Sequence, residues 1–390
     1  MSQTADIVIV GGGLVGLTLA SLCARENLTV VVVEQRKPID WQVERIDLRC
    51  VAISKHSQQL FETIGIWDQI KRVSPYTQMR VWDAQGYGEI LFQAQEVGET
   101  TLGHIIENGL LLDALWKRVE SDPLIRIVVE DKPVSMHVEP GEAILELSSG
   151  QSFRCCLLVG AEGKHSWVRS TSGIALERRP YEQTAVVATV QTERAHENTA
   201  WQRFLKTGPI AFLPLIDSHQ CSIVWSTTPA EADRLVALAS SDFQSECSKA
   251  LDYRLGKVLN SSTAQQFALE QCHASHYVKP RVALVGDAAH VVHPLAGQGV
   301  NFGLKGVLTL VETLAQARRK QGDIGELLAL RPYERAHKSF MSSAMFGLEF
   351  IRQCFHSPSS VMSELRSLGV NAIDRIPFVK RQFIQQAMGI

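Results

Sequence analysis

The first 34 residues contain the feature that most constrains the fold of this chain. Asp6 to Val10 (DIVIV) is typical of a buried strand, and the glycine-rich segment GGGLVG at residues 11–16 follows it directly. A helix-like run extends to Asn27, and a second apolar strand ends at Glu34. A strand, a glycine turn, a helix and a parallel strand form the βαβ unit that binds dinucleotides. The pattern therefore predicts an α/β fold with a Rossmann-like domain.

Each part of this unit has a predicted role. Gly11 makes the tight turn, Gly13 lets a pyrophosphate approach the backbone, and Gly16 lets the helix pack closely on the strand. Glu34 stands about 20 residues after the glycines, where its carboxylate accepts a ribose hydroxyl. Because NAD and FAD both satisfy this pattern, it predicts a dinucleotide without identifying it, and a tight turn without a ligand is the alternative.

Two further glycine turns follow apolar strands far along the chain. The segment VGAEGKHSWVR (159–169) contains Glu162 and a serine, Ser166, that can cap the next helix. The segment GDAAHVVHPLAGQGVN (286–301) begins with Gly286 and Asp287, and the Asp287 carboxylate can accept a ribityl or ribose hydroxyl. Three such motifs predict one extended ligand held from both ends, as a flavin site requires.

The end of the third motif predicts an anion-binding helix start. The helix that begins after residues 297–299 offers free N–H groups, and the reduced isoalloxazine ring carries negative charge on its N1 side. A helix N-terminus at that position favours the reduced flavin by about 0.3 to 2 kcal/mol. His290 and His293 raise the question of a metal pair, but no carboxylate or thiol completes a ligand set, so we predict no metal site.

The three motifs resemble those of the class A flavoprotein aromatic hydroxylases. Within that group, several other stretches resemble the ubiquinone-biosynthesis hydroxylases, and in particular the bacterial enzymes that hydroxylate 2-polyprenylphenol at C5. These stretches are LGHIIENGLLLDALW (102–116), AFLPL (211–215), CSIVWS (221–226), HPLAGQGVN (293–301) and the terminal QAMG (386–389). The resemblance extends over nearly the whole chain.

The resemblance implies an FAD-dependent monooxygenase with NADH or NADPH as cosubstrate. A flavin C4a-hydroperoxide would transfer one oxygen atom to the ring of a prenylated phenol, converting 2-polyprenylphenol to 2-polyprenyl-6-hydroxyphenol. Three alternatives stay open: hydroxylation at another ring position, a small soluble aromatic substrate, and a flavin-binding scaffold subunit of the ubiquinone-synthesis complex. The cofactor performs the oxygen chemistry, so the protein has to position the substrate and exclude water.

The resemblance also implies which residues contact the cofactor. Asp287 binds the ribityl chain, and Arg49 contacts the cofactor near its pyrophosphate. Glu107 and Asn108 either touch the cofactor or cap the helix that follows them. The flavin loop, whose backbone matters more than its side chains, consists of Pro294, Leu295, Gly297, Gln298, Gly299 and Asn301.

Two positions depart from the family pattern. Glu162 replaces an Asp, and its extra methylene is expected to displace cofactor or nicotinamide contacts by about an ångström. Lys305 and Gly306 stand where relatives usually have an Asp at the second position. The missing carboxylate is expected to alter helix packing or the support of the flavin loop.

The order of the motifs predicts interleaved domains. The FAD-binding domain, which the resemblance implies to be para-hydroxybenzoate hydroxylase-like, comprises residues 1–75, 103–180 and 271–330, and a mainly antiparallel β-sheet substrate domain comprises 76–102 and 181–270. C-terminal helices follow at 331–390. The strands Ala211 to Leu215 and Ser222 to Trp225 either line an apolar substrate channel or form plain sheet core.

Composition restricts the partners and the compartment. The net charge is −2 with dispersed Lys and Arg, so we predict no nucleic-acid binding. The eight Cys lack CxxC spacing and indicate reduced thiols, and no stretch of 18 apolar residues occurs. We expect a cytoplasmic protein, with a lipid-like substrate favouring peripheral contact at the inner face of the cytoplasmic membrane. The resemblance implies a homo-oligomer and a ubiquinone-biosynthesis multi-enzyme complex.

Overall fold

The computed structural model of the 390-residue chain describes residues 3–36, 46–293, 297–356 and 376–389, together with residues 364, 369, 373 and 374. Pro294 and Leu295 of the predicted flavin loop lie outside the described residues. The strands are β1 Gln3–Val10, β2 Val30–Glu34, β3 Cys50–Ser54, β4 Ser74–Tyr76, β5 Gln78–Asp83, β6 Glu89–Gln93, β7 Gly103–Glu107, β8 Ile125–Val129, β9 Pro133–Glu139, β10 Glu142–Leu147, β11 Ser152–Gly160, β12 Leu176–Thr192, β13 Thr199–Leu205, β14 Gly208–Pro214, β15 Gln220–Thr227, β16 Val258–Ser261, β17 Gln265–Ala274, β18 Val278–Lys279, β19 Val282–Leu284 and β20 His290–Val291.

The helices separate and cover these strands. The α-helices are α1 Leu14–Arg25, α2 Lys55–Thr63, α3 Asn108–Glu120, α4 Trp167–Thr171, α5 Pro229–Ala237, α6 Ser240–Ala250, α7 Gly299–Arg319, α8 Leu327–His356 and α9 Pro377–Met388. Short 3₁₀ turns occupy Trp67–Gln69, Ala94–Val97, Gly163–His165 and Gly286–Ala288.

The first sheet has a parallel core, as the Rossmann-like pattern predicts. Its strand order is β18-β19-β11-β1-β2-β8, and the antiparallel strands β10 and β9 extend it beside β11. The runs IVIV in β1 and VVVV in β2 are buried throughout, which is typical of a parallel sheet covered on both faces. Helix α1 packs against α3 and α7.

Parallel pairing brings the three glycine motifs to one edge of this sheet. Val10 at the end of β1 pairs with Val33 of β2 and with Gly160 of β11. Gly160 pairs in turn with Leu284 at the end of β19. Because the carboxyl ends of parallel strands meet at the same edge, the turns that follow these strands are neighbours there.

The second sheet is mainly antiparallel. Its strand order is β20-β17-β12-β15-β14-β13-β5-β6, and β13 with β5 is its one parallel pair among the described residues. Burial alternates along β14, where Phe212 is packed in a core with α5 and α6 while Ala211 and Leu213 face the other side. The interleaved α/β architecture with C-terminal helices is confirmed, and the domain boundaries stay a prediction.

The C-terminal helices expose several large apolar side chains. Helix α8 begins at Leu327 and contains Pro332. Its Phe346 and Phe350 are 76% and 61% exposed. Across the described segments, every helix is too short or too polar to cross a membrane.

Candidate functional site

Two glycines of the turn after β1, Gly11 and Gly16, lie in backbone contacts that leave no room for a Cβ. Gly11 has φ +110°, and a Cβ there would lie 2.5 Å from the carbonyl oxygen of Ala161 in the second motif. A Cβ on Gly16 would lie 2.0 Å from the carbonyl oxygen of Gly11. Gly13 has no heavy atom within 4 Å of its Cβ position, so its backbone is open to a ligand. These contacts support the roles proposed for the three glycines.

Glu34 lies beside this turn at the end of β2. Its Oε2 accepts the Gly12 N–H at 2.7 Å, and its Oε1 accepts the Arg36 N–H at 3.0 Å. The two bonds hold the carboxylate next to the glycine turn, and each oxygen keeps a further lone pair. A ribose hydroxyl can therefore bind the same carboxylate, as the sequence pattern predicts.

The third motif packs directly on the start of α1. Gly286 has φ +57°, and a Cβ there would lie 3.1 Å from the side chain of Val15. A Cβ on Gly303 of α7 would lie 3.0 Å from the same side chain. Val15 is thus the point at which the first motif, the third motif and α7 meet.

Asp287 presents an unpaired carboxylate at this junction. Its side chain is open to solvent within a cleft, and no donor among the described residues bonds to it. Protein surrounds the group on its other sides, and this desolvation raises its pKa to about 6, against the opposing charge of Lys164. A carboxylate without an internal partner is suited to accept hydroxyl groups of a ligand.

Glu162 caps a helix of its own motif and does not point along the cleft. Its Oε2 accepts the Ser166 hydroxyl at 2.6 Å, and its Oε1 accepts the Val168 N–H at 2.9 Å. Ser166 caps α4, as predicted, by accepting the Arg169 N–H at 3.1 Å. The extra methylene of Glu162 is accommodated within this cap, and the predicted cofactor contact of this residue stays a prediction.

Arg169 connects the second and third motifs. Its buried guanidinium donates to the carbonyl of Ala288 at 2.9 Å and to the carbonyl of Lys164 at 2.8 Å. The sequence indicated only that α4 carries this residue. The bond between the motifs depends on two turns 119 residues apart, which no local pattern reveals.

The segment before β3 positions Arg49 and the start of α3. The side-chain cap of α3 comes from Asp47, which accepts the Gly109 N–H at 3.0 Å. Neither Glu107 nor Asn108 caps this helix with its side chain. Glu107 is buried and accepts the Arg72 Nε–H at 2.8 Å, so it has a structural partner. Arg49 is exposed, and its guanidinium has no partner among the described residues. Its predicted contact with a pyrophosphate stays a proposal.

The start of α7 forms the described part of the flavin loop. Gly297 has φ +62° and packs on Ala52, and no side chain of the described residues caps the N–H groups at the start of the helix. The Asn301 amide donates to the Ala52 carbonyl at 2.8 Å and accepts the Ser54 N–H at 3.0 Å. Asn301 therefore binds β3 with its side chain, which positions the helix start and leaves the backbone of Gly299 for a ligand.

Gln298 links this loop to the C-terminal helix. Its Oε1 accepts from Asn301 at 3.3 Å, and its Nε2 donates to the carbonyl of Ala387 in α9 at 3.4 Å. The flavin loop is thus supported from outside the first sheet.

His290 and His293 hold the third motif through separate partners. The two Nε2 atoms of His290 and His337 share a hydrogen bond at 2.9 Å, and His293 Nε2 donates to Gln183 Oε1 at 2.9 Å. Burial lowers the pKa of both His293 and His337 to about 4, which favours neutral rings. His290 and His293 therefore serve to position the third motif.

Gly306 has a structural explanation in His337. A Cβ on Gly306 would lie 2.5 Å from the Nε2 atom of His337, whose ring stacks on Tyr333 and Phe340. The imidazole occupies the space that a side chain at position 306 would need. Where relatives usually have an Asp side chain, this chain therefore packs the His337 ring of α8 against α7.

A cavity of about 300 Å³ lies between the flavin loop and the second sheet. Its wall is largely apolar and includes alternate residues of β13, β14 and β15, so these strands form both cavity wall and core, on opposite faces. No Lys, Arg or His occurs among the described lining residues. The lining residues are Cys50, Val51, Ala52, Tyr76, Met79, Ile105, Ala200, Gln202, Pro209, Ala211, Leu213, Val224, Ser226, Asp287, Val291, Val292, Gly297, Gly299 and Val300.

These features fit an FAD molecule lying along the carboxyl edge of the first sheet. The open backbone at Gly13 suits a pyrophosphate, the unpaired Asp287 suits ribityl hydroxyls, and the free N-terminus of α7 suits the N1 side of the ring. The ring would then face the apolar cavity. The arrangement can hold a flavin beside a substrate in a space with a largely apolar wall.

Comparisons with known proteins agree with this geometry. The profile of the family described as FAD binding domain matches residues 4–339. The chain is 34% identical over 392 residues to the 3-demethoxyubiquinol 3-hydroxylase of Escherichia coli K12, with 100% of both proteins covered. It is 35% identical over 388 residues to the ubiquinone hydroxylase UbiL of Rhodospirillum rubrum, covering 99% of this chain and 90% of that protein.

The fold is shared with solved structures of lower sequence identity. The crystal structure of p-nitrophenol 4-monooxygenase PnpA from Pseudomonas putida DLL-E4 superimposes with a TM-score of 0.79 at 15% identity. It covers 100% of this chain and 99% of the PnpA chain. At this identity the likeness concerns the fold alone.

Proposed function

Since this chain belongs to the FAD binding domain family and is a flavoprotein monooxygenase, we propose that it hydroxylates the ring of a prenylated phenol in ubiquinone biosynthesis. The observation that carries the proposal is the apolar cavity, which has no cation in its described lining and meets Asp287 and the start of α7. A neutral, lipid-like aromatic compound matches such a wall.

When bound, FAD takes electrons from NADH or NADPH, reacts with O2 and supplies an electrophilic oxygen atom. The net reaction converts an aromatic C–H, O2, NAD(P)H and a proton to an aromatic C–OH, water and NAD(P)+. In our proposal Glu34 holds a ribose, the backbone at Gly13 holds the pyrophosphate, and Asp287 holds the ribityl chain. The residues of the chain therefore bind and orient the reactants.

The cavity also indicates a path for a prenyl tail. Ile105 lines both the main cavity and a smaller one of about 30 Å³, whose wall includes the apolar Ile46, Leu215 and Ile216 together with the polar Arg72, Ser74, Glu107 and Gln220. Ile216 is exposed at the surface, and Leu215 packs against Ile105 in one apolar cluster. We propose that the ring lies near Asp287 and that the tail leaves along these residues.

Two of the three alternative functions, a small aromatic acid as substrate and a scaffold role, lose support from the structure. A hydroxylase of a small aromatic acid needs a cation for the carboxylate, and the described cavity wall contains none. A scaffold without activity is suggested only by the two departures from the family pattern, at Glu162 and Gly306. Glu162 is used as a helix cap and Gly306 makes room for His337, so neither departure indicates a lost catalytic site.

The ring position is the finer part of the proposal. C5 of 2-polyprenylphenol is the position that the sequence motifs favour. The relative from Escherichia coli is, by its name, a hydroxylase of 3-demethoxyubiquinol at position 3, and its match over the whole chain favours that position as a second candidate. Contact with the membrane surface, a homo-oligomer and a multi-enzyme complex are further proposals that follow from a lipid-like substrate and the resemblance.

The test is an aerobic assay of the FAD-loaded protein with NADPH and short-tailed substrates in detergent. The substrates are a 2-prenylphenol, a prenylated demethoxyubiquinol and 4-hydroxybenzoate as the acid control, with ¹⁸O2 and mass spectrometry to identify the product. One labelled oxygen in a prenylated ring supports the proposal, and its position distinguishes the two candidates. Labelled product from the acid alone, or stimulation of NADPH oxidation by none of the phenols, contradicts it.

A further inference from the structure

Gln202 is a buried amide on the wall of the proposed substrate cavity. It lies on the inward face of β13 between Ala200 and Phe204, and it is 7% exposed. Its neighbours across the sheet are Ala211 of β14 and Val81 of β5. These four strand neighbours are apolar, and no hydrogen bond joins the amide to any described group.

Gln183 on β12 shows what a structural glutamine looks like in the same sheet. It is 6% exposed, its Nε2 donates to the carbonyl of Thr207 at 3.1 Å, and its Oε1 accepts from His293 at 2.9 Å. Each end of that amide is satisfied inside the protein. The Gln202 amide has no such partner in the described protein and faces the cavity, so a group bound there can supply its hydrogen bonds.

The position of Gln202 indicates what satisfies it. The residue shares the cavity wall with Asp287, Gly299 and Val300, which face the proposed flavin site. The Gln202 Oε1 can accept a hydrogen bond from a phenol O–H, and the Nε2 can donate to a ring oxygen. Accepting the phenol proton in a hydrogen bond increases electron density on the carbons ortho and para to the hydroxyl, where oxygen transfer occurs.

We propose that Gln202 binds the ring hydroxyl of the substrate and thereby determines which ring carbon faces the flavin. The inference rests on the proposed function, because it requires a phenol in this cavity. It supplies the group that orients the phenol, which the sequence motifs left unnamed. Tyr76 also lies on the cavity wall, and burial raises the pKa of its hydroxyl to about 12. Because this hydroxyl stays protonated at neutral pH, Tyr76 is a poor base for the phenol.

The experiment compares the wild type with Gln202→Met, which removes both hydrogen-bonding atoms at nearly constant volume. Each protein is loaded with FAD and given a short-tailed 2-prenylphenol or its methyl ether, which has no O–H to donate. We expect the wild type to favour the phenol by about tenfold or more in kcat/KM, and Gln202→Met to lose most of that preference. Gln191→Met, an exposed glutamine on β12, is the matched control.

The product per NADPH gives a second readout. Gln202→Met is expected to keep its FAD and its melting temperature, yet to release more hydrogen peroxide and to oxygenate more than one ring position. Gln202→Asn keeps an amide one methylene shorter, and it is expected to retain the preference for the phenol while changing the ratio of products. This second variant tests the idea even if the methionine variant folds poorly.

The outcomes separate this inference from the proposed function. The role of Gln202 alone would be overturned if the wild type responds to prenylated phenols and Gln202→Met keeps the same preference for the phenol over its methyl ether and the same product per NADPH. A wild type that oxygenates no prenylated phenol overturns the proposed function, and the inference falls with it. Lost preference in Gln202→Met with intact FAD binding supports it.

Discussion

The cofactor edge of the first sheet and the cavity wall of the second sheet are built in different ways. At the cofactor edge, backbone approaches backbone so closely that a Cβ on Gly16 would lie 2.0 Å from a carbonyl oxygen. At the cavity wall, side chains such as Ala211 and Leu213 define the surface. The comparison teaches that the cofactor is specified by glycine positions, whereas the substrate is specified by the side chains that happen to face inward.

The largest expected effect is on the folding of the cofactor edge. Gly16→Ala is expected to lower the free energy of unfolding by about 3 kcal/mol or more, because the new Cβ meets the backbone of Gly11. Urea denaturation followed by circular dichroism measures the change. A denaturation midpoint equal to that of the wild type would show that this turn is less tightly packed than the distances indicate.

The next effect concerns the support behind the third motif. Gly306→Ala is expected to cost about 1 to 3 kcal/mol, because its Cβ would lie 2.5 Å from the His337 ring. The double variant with His337→Ala removes the clash, so the two losses are expected to be less than additive. Thermal denaturation of the three variants measures the coupling. Strictly additive losses would contradict direct contact between the two positions.

Gly13→Ala separates cofactor binding from folding. Its Cβ position is empty within 4 Å, so stability is expected to change by less than about 0.5 kcal/mol. The affinity for FAD is expected to fall roughly tenfold or more, because the methyl group blocks the approach of the pyrophosphate to the backbone. Flavin fluorescence titration measures the affinity, with Gly16→Ala as the folding comparison. Unchanged affinity would place the pyrophosphate elsewhere.

The smallest effect is the pH dependence from Asp287. Its pKa is about 6 because of desolvation, and ribityl hydroxyls that donate to the carboxylate would lower it. FAD affinity is therefore expected to rise with pH up to about 6, by at most tenfold per pH unit, and to level off above. Titrations from pH 5 to 8 check this, and Asp287→Asn is expected to flatten the profile. A parallel rise in the variant would assign the effect to another group.

The sign for the ligand-free protein is opposite. A raised pKa favours the neutral carboxyl in the folded state, so this contribution to stability is present below the ordinary pKa of 3.8. It is lost as the pH rises through about 6. The two profiles, with and without FAD, therefore distinguish desolvation of Asp287 from its use as a ligand group.

The sequence predicted the glycine turns, the parallel core and the second sheet. It also predicted that Ser166 caps α4, because a cap depends on residues three positions apart. It could not predict that Asp47 caps α3 or that Arg169 binds Ala288, because each of these bonds joins turns more than 60 residues apart. It could not predict the contact of His337 with Gly306 either, because that contact requires α7 and α8 to pack against each other.

What the sequence by itself determined is the local backbone of the cofactor edge. A strand, a glycine turn and a helix are specified by about ten consecutive residues, and a positive φ or a missing Cβ leaves a direct trace in the residue type. What only the tertiary structure decided is the cavity. Its wall comes from strands, turns and a helix far apart in the chain, and the face that each strand presents depends on register and packing. An unpaired amide at Gln202 has meaning only once its apolar neighbours are in place around it.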